Sequence, residues 1–276
     1  MELEFWGVRG THPVSGREGS RYGGHTAAAL ITAKSGERVI VDAGTGVIGL
    51  GRRMTRDSSG SPQQRVHVLL THFHLDHIMG LPFFSPLQDK NTAVTFFSAA
   101  EPEETERLLS GIMAGRYFPL DFQDLAAVQH FKKLPQGKLE IGSLLISHHP
   151  LSHPQGSAAY RIEEGGQSVV FATDTEHPLK GLDDSLAAFA QGAGHFIYDA
   201  TFTPQDYEAG KRGWGHSTWL EGTKLARAAC VGTLYLSHLN PEYPDKTIDE
   251  LVRLAREEFP RTRAAREGWK KVFRGE

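Results

Sequence analysis

The chain has 276 residues, 39% of them hydrophobic, which is enough to bury a sizeable core as one large α/β domain or two small ones. Its 30 basic and 33 acidic side chains leave a formal net charge of −3, which supplies no global pull toward nucleic acid. Cys230 is the only cysteine, so an internal disulfide framework and zinc sites of paired thiolates are excluded, and any metal must rest on His and carboxylate.

The opening MELEFWGVRG lacks a basic stretch followed by an apolar one, and no apolar run approaches bilayer-spanning length. The expectation is a single domain over residues 1–276, soluble and cytoplasmic, with no membrane partner. In chain order, apolar runs bounded by Gly, Pro and Asn predict strands over 3–8, 27–32, 38–41, 66–70, 94–97, 144–147, 168–172, 195–198 and 233–236. Helical patterns lie over 103–111, 185–191, 219–229 and 247–258, the last opening on Thr247 and Glu250 in the spacing of a capping box. The polar, turn-rich segment RDSSGSPQQR, 56–65, predicts an exposed loop. Early strands run together and helices intersperse, which favours two sheets between helices over one doubly wound sheet.

The densest chemistry is His72-Phe73-His74-Leu75-Asp76-His77, directly after a predicted buried strand. An extended backbone aims His72 and His74 at one ion, and a turn into a short helix sends Asp76 and His77 to a neighbouring one. Further candidates each follow a strand of their own. In SHHPLSHPQG, His153 is chosen as the third nitrogen ligand, with His148 and His149 as rivals. In VVFATDTE, Asp174 ends an apolar strand where an unpaired carboxylate is costly, and it is placed to bridge two ions. In LYLSHLNPEY, His238 ends another such strand. This nitrogen and oxygen donor set accepts two divalent ions, and its imidazole content tilts toward Zn2+, with Mn2+ or Fe2+ as alternatives.

His72, His74, Asp76, His77, His153, Asp174 and His238 resemble, in order and placement, the ligand set of the metallo-β-lactamase superfamily. Asp42, in VIVDAGTG, is similar to that fold's early Asp-x-Gly turn, which supports the metal loop from beneath. The resemblance spans nearly the whole chain and implies an α/β fold, an αββα sandwich of two mixed β-sheets flanked by helices, with the site at their shared edge. GWGHSTW, followed by LEGTKLARAACVGTLYLSHLNPEY, resembles the ribonuclease Z and phosphodiesterase branch, in which the loop histidine, here His216, faces the scissile phosphate. FWGVRGTHPVSG, YGGHTAAALI, YFPLDF and FATDTEH are similar to cyclic-nucleotide phosphodiesterase-like members, though His25 stands where that subset commonly carries Asn.

The resemblance implies a phosphodiesterase. Two ions about 3.5 Å apart, bridged by Asp174 and a water, would yield a bridging hydroxide for attack on phosphorus. Asp76 and His216 are the catalytic candidates, and His216 would protonate the leaving alkoxide. The net charge and the absence of a long tRNA-gripping arm favour a small cyclic nucleotide or cyclic phosphate, with RNA as the other substrate. Related phosphodiesterases are often dimers, which implies a homodimer. The alternatives are a ribonuclease Z-like tRNA 3′-processing endonuclease and a glyoxalase II-type thioesterase. Arg9, Arg21 and Tyr22 are candidates to contact phosphate or base, or to be solvated surface. Tyr117 and Phe118 are candidates for an apolar wall, or for core.

Overall fold

The computed structural model describes residues 1–16, 21–57 and 64–273. The N-terminal half contributes β1 (Glu2–Gly7), β2 (Ala28–Thr32), β3 (Arg38–Val41), β4 (Gln64–Leu69), β5 (Thr92–Ser98) and β6 (Val128–Lys133). The C-terminal half contributes β7 (Leu139–Ile141), β8 (Leu144–Leu151), β9 (Ser157–Glu164), β10 (Gln167–Ala172), β11 (His195–Asp199), β12 (Thr233–Ser237), β13 (Thr262–Ala264) and β14 (Lys270–Val272). The helices are α1 (Gly46–Asp57), α2 (Leu75–Ile78), α3 (Pro102–Gly111), α4 (Asp184–Phe189), α5 (Pro204–Asp206), α6 (Trp219–Ala228) and α7 (Asp245–Glu258). The strands form two 7-stranded sheets, ordered β14-β1-β2-β3-β4-β5-β6 and β13-β12-β11-β10-β9-β8-β7. Each mixes antiparallel and parallel pairs. This is the expected αββα sandwich. No helix among the described residues is long and apolar enough to cross a membrane.

The side-chain period of a strand explains the layers. Along β3, Val39 and Val41 point into the core between the sheets, while Ile40 points outward into a second core with Val47, Leu50 and Met54 of α1. The first sheet is therefore apolar on both faces there. That is why its central strands read as continuous apolar runs rather than alternating ones.

Several elements were not legible from these patterns. Helix α1 carries Gly46, Gly49 and Gly51, which weaken helix propensity and mask a sound apolar stripe of Val47, Leu50 and Met54. Strand β6 reads VQHFKK, and its polarity suits an edge position that two lysines protect from further pairing. Residues 58–63 of the expected loop lie outside the described residues, while Arg56 and Asp57 end α1 and Gln64 and Arg65 open β4.

The capping box at Thr247 does not form. Helix α7 starts two residues earlier, at Asp245, because Pro244 fixes an extended φ/ψ of −66°/162° at the N-cap and the chain turns helical directly after it. Glu250 instead pairs with Arg253 on the exposed face. A working cap sits on α6, where Thr218 accepts from the Glu221 amide at 3.3 Å. Thr218→Ala is therefore expected to lower stability by ~1 kcal/mol, and Thr247→Ala to leave it within about 0.5 kcal/mol, as read from urea midpoints.

Candidate metal centre

Three chain reversals build the centre. Asp42 after β3, Asp174 after β10 and His238 after β12 have φ of 60°, 60° and 55°. A residue with a Cβ adopts this left-handed conformation at a cost of about 1–3 kcal/mol, so surrounding bonds must over-determine it. Here they do, because each of the three side chains is buried and held by groups from other elements.

Asp174 lies at the middle, 1% exposed. His72 Nε2 is 3.8 Å and His238 Nε2 3.3 Å from its Oδ1, and His77 Nε2 is 3.1 Å from its Oδ2. On one side, His153 Nε2 lies 3.2 Å from His74 Nδ1, and the nitrogens of His72, His74 and His153 all fall within 4.8 Å of one another. On the other, His238 Nε2 is 3.2 Å and His77 Nε2 3.4 Å from Asp76 Oδ2. The structure thus brings together all seven expected ligand residues around one carboxylate. His148 and His149 go elsewhere, to the Pro135 carbonyl and the Ser185 hydroxyl.

Each histidine directs one nitrogen inward because its other nitrogen is bonded away. His72 Nδ1 donates to Thr71 Oγ1 (3.0 Å), His74 Nε2 to Gln155 Oε1 (2.9 Å), and His77 Nδ1 to Asp42 Oδ2 (2.8 Å). His153 Nδ1 donates to the Gly215 carbonyl (2.9 Å) and His238 Nδ1 to Thr201 Oγ1 (3.0 Å). Outer acceptors that fix the tautomer in this way are the usual companions of metal-ligating imidazoles. Two buried atoms facing the cluster, His72 Nε2 and Asp174 Oδ2, have no hydrogen-bond partner. Orphaned buried acceptors of this kind fit a cation, so the donor set suits divalent metal.

The charges agree. Burial and the neighbouring His77 push the His72 imidazole down to about 2, leaving it a neutral donor. Burial alone would also depress His238, but Asp174, Asp76 and Asp199 outweigh it and raise this group to about 9. His77 is raised likewise against its burial, by Asp174, Asp76 and Asp42. The carboxylates thus recruit protons where cations belong, and metal must displace them. Apparent metal affinity is expected to rise with pH up to about 9, as measured by competition with a chromophoric chelator at pH 6, 7.5 and 9; a flat profile would contradict this reading.

The Gly-rich N-terminal loop supports the centre from outside. Arg9 is fully buried and donates to the carbonyls of Gly23, Asn240 and Tyr243, so it neither meets substrate nor faces solvent. It clamps this loop to the segment following His238. Gly10 is needed there, since a Cβ would stand 2.2 Å from His238 Cε1, and the next amide, Thr11 N, donates to Asp76 Oδ2 at 2.7 Å. Arg21 and Tyr22 are tied to Asp249 of α7 rather than to the centre. His25 is exposed, with Nδ1 3.2 Å from Thr45 Oγ1. Tyr117 is exposed too, while Phe118 packs edge-on against Phe83.

His216 sits beside the centre, its ring 4.9 Å from that of His238 and 5.6 Å from that of His153. Its Nδ1 donates to Asp199 Oδ2 at 3.0 Å. Sequence reading missed Asp199, which also accepts from the amides of Asp174 and Ser217 and from Thr201 Oγ1. The signal was available: Asp199 is a fully buried carboxylate ending an apolar strand, as Asp174 nearly is. Thr201 and Gln155 carried no such mark, because their value lies in partners distant along the chain.

The profile of the beta-lactamase superfamily domain matches residues 37–239. A ribonuclease Z of Bradyrhizobium sp. (strain ORS 278) is 26% identical over 285 residues, covering 86% of this chain and 90% of that protein. Among solved structures, the metallo-beta-lactamase fold protein YhfI of Bacillus subtilis superposes with a TM-score of 0.71 at 20% identity, covering 98% of this chain and 99% of that one. A diphosphatase of the PhnP family does so with a TM-score of 0.69 at 17% identity, covering 99% and 98%. With its profile matched across most of its length and the family's two-sheet sandwich around a histidine and aspartate centre, the chain belongs to the beta-lactamase superfamily.

Proposed function

We propose that this metal-dependent hydrolase cleaves a phosphodiester bond, with a small cyclic nucleotide or cyclic phosphate as substrate. The observation that carries the reading is His216, held by buried Asp199 against the histidine and aspartate centre. His72, His74 and His153 with Asp174 would hold one divalent ion, and Asp76, His77 and His238 with Asp174 the other. Zn2+ suits the imidazole-rich set best. Such ions, when bound, lower the pKa of water and neutralise charge on phosphoryl oxygen.

The remaining work falls to the chain's own groups. Thr11 N and the five outer acceptors keep the donors oriented before substrate arrives. Asp199 holds the Nδ1–H of His216, so Nε2 is the nitrogen left for proton transfer, and the carboxylate stabilises the imidazolium that donates. Water oxygen joins phosphorus and releases one proton to solvent, the phosphorus–oxygen bond breaks, and the Nε2 proton goes to the departing oxygen, so that a cyclic substrate opens to one product carrying a phosphomonoester and a free hydroxyl. The net charge of −3 supports a small substrate over a nucleic acid. The relative named ribonuclease Z keeps a 3′-extended tRNA as the second reading.

The test is turnover of bis(p-nitrophenyl) phosphate by metal-loaded protein, followed by a panel of cyclic nucleotides, a 3′-extended tRNA and S-lactoylglutathione. Asp76→Ala is expected to abolish turnover. His216→Ala is expected to lower kcat about 10²–10⁴-fold on a cyclic nucleotide, whose alkoxide needs a proton, and far less on bis(p-nitrophenyl) phosphate, whose phenolate does not. Hydrolysis of the thioester alone would overturn the proposal.

A further inference from the structure

The loop that carries His216 has no place in either sheet. It leaves β11, passes through α5 and a π-helical turn, Tyr207–Lys211, and reaches His216 through Gly213-Trp214-Gly215 before α6 begins. Gly213 and Gly215, which flank Trp214, have φ of 79° and 83°, a left-handed conformation that glycine adopts without steric cost. Both amides converge on one carboxylate. Glu176 accepts from Gly213 N at 2.7 Å through Oε1 and from Gly215 N at 2.9 Å through Oε2, and Tyr207 Oη donates to Oε1 at 2.7 Å.

Glu176 stands two residues beyond Asp174, and its own amide donates to the carbonyl of Ser152, the neighbour of His153, at 2.7 Å. One residue therefore joins three segments of the centre: the turn bearing Asp174, the segment bearing His153 and the loop bearing His216. His177 adds a second hold, with Nδ1 2.9 Å from Ser217 Oγ and its ring 4.3 Å from that of Tyr207. Gly215 is confined in turn, because a Cβ there would meet His153 Nδ1 at 2.2 Å.

We propose that Glu176 is the positioning residue for proton donation by His216. Its carboxylate locks the two glycine amides flanking Trp214, and the locked loop delivers His216 to Asp199 and to the departing oxygen. Water cannot replace this hold without losing geometry, since three donors from separate points of the loop meet on two oxygens. The inference rests on the phosphodiesterase reading and assigns a role within it.

Wild type, Glu176→Ala and Glu176→Gln are compared at saturating metal on bis(p-nitrophenyl) phosphate and on the cyclic nucleotide that wild type turns over fastest. Loss of the carboxylate is expected to lower kcat on the cyclic nucleotide by on the order of 10²-fold, the effect of a displacement near 1 Å, and kcat on bis(p-nitrophenyl) phosphate at least tenfold less than that. Glu176→Gln, which keeps a carbonyl acceptor for one amide, is expected to recover part of the loss, and it alone decides the matter if Glu176→Ala does not fold. An equal fall on both substrates, or no fall on the cyclic nucleotide, overturns the inference and leaves the phosphodiesterase reading standing. A wild type inactive on every phosphodiester overturns that reading, and this inference with it.

Discussion

A carboxylate buried almost completely at the end of an apolar strand is the constraint from which this structure follows. Asp174 is 1% exposed, in a left-handed backbone conformation, with one oxygen near His72 and His238 and the other near His77. A charged carboxylate in such a place is tolerable only among cations or strong donors. The fold answers by ending β4, β8, β10 and β12 on one edge of the sandwich, so that turns leaving several strands converge on the same charge. Burial also acts against ionisation of Asp174, yet the surrounding imidazoles hold it well below the usual carboxylate range.

Convergence by itself would not order the donors. Their orientation comes from a ring of polar groups outside the centre, and these organise around two further buried carboxylates. Asp42 collects the Thr71 amide and hydroxyl and His77 Nδ1, and so orders the first sheet's side. Asp199 collects the amides of Asp174 and Ser217, Thr201 Oγ1 and His216 Nδ1, and so orders the second sheet's side. The two sheets thus contribute matching devices to a shared edge. The N-terminal loop closes the arrangement with Arg9 as clamp, Gly10 as clearance for His238 and Thr11 N as a donor to Asp76. Of the three residues that sequence reading offered either to phosphate or base or to the solvated surface, Arg9 is buried scaffold and Arg21 and Tyr22 bond to Asp249.

What was legible in the sequence was whatever depends on short spacing or on strand-end placement. The His72 to His77 run, Asp174 and His238 stood out because polar, metal-competent side chains directly followed apolar strands. Helix α1 escaped because three glycines diluted its pattern, and β9 because SAAYRIEE opens on small residues that strands do not favour. The capping box at Thr247 misled because a local motif competes with the stronger directive of a preceding proline. Glu176 and Gln155 were hidden for a different reason: each acts through partners tens of residues away, and only the closed fold brings them together.

We propose that Asp174 is shared between two metal positions, one with His72, His74 and His153 and one with Asp76, His77 and His238. Anomalous diffraction from crystals of the zinc-loaded protein, collected on both sides of the zinc absorption edge, tests it most directly. Two zinc peaks are expected to flank the Asp174 carboxylate, each within coordination distance of its own three partners, about 2.0–2.2 Å. A single peak, or peaks placed away from Asp174, would contradict it.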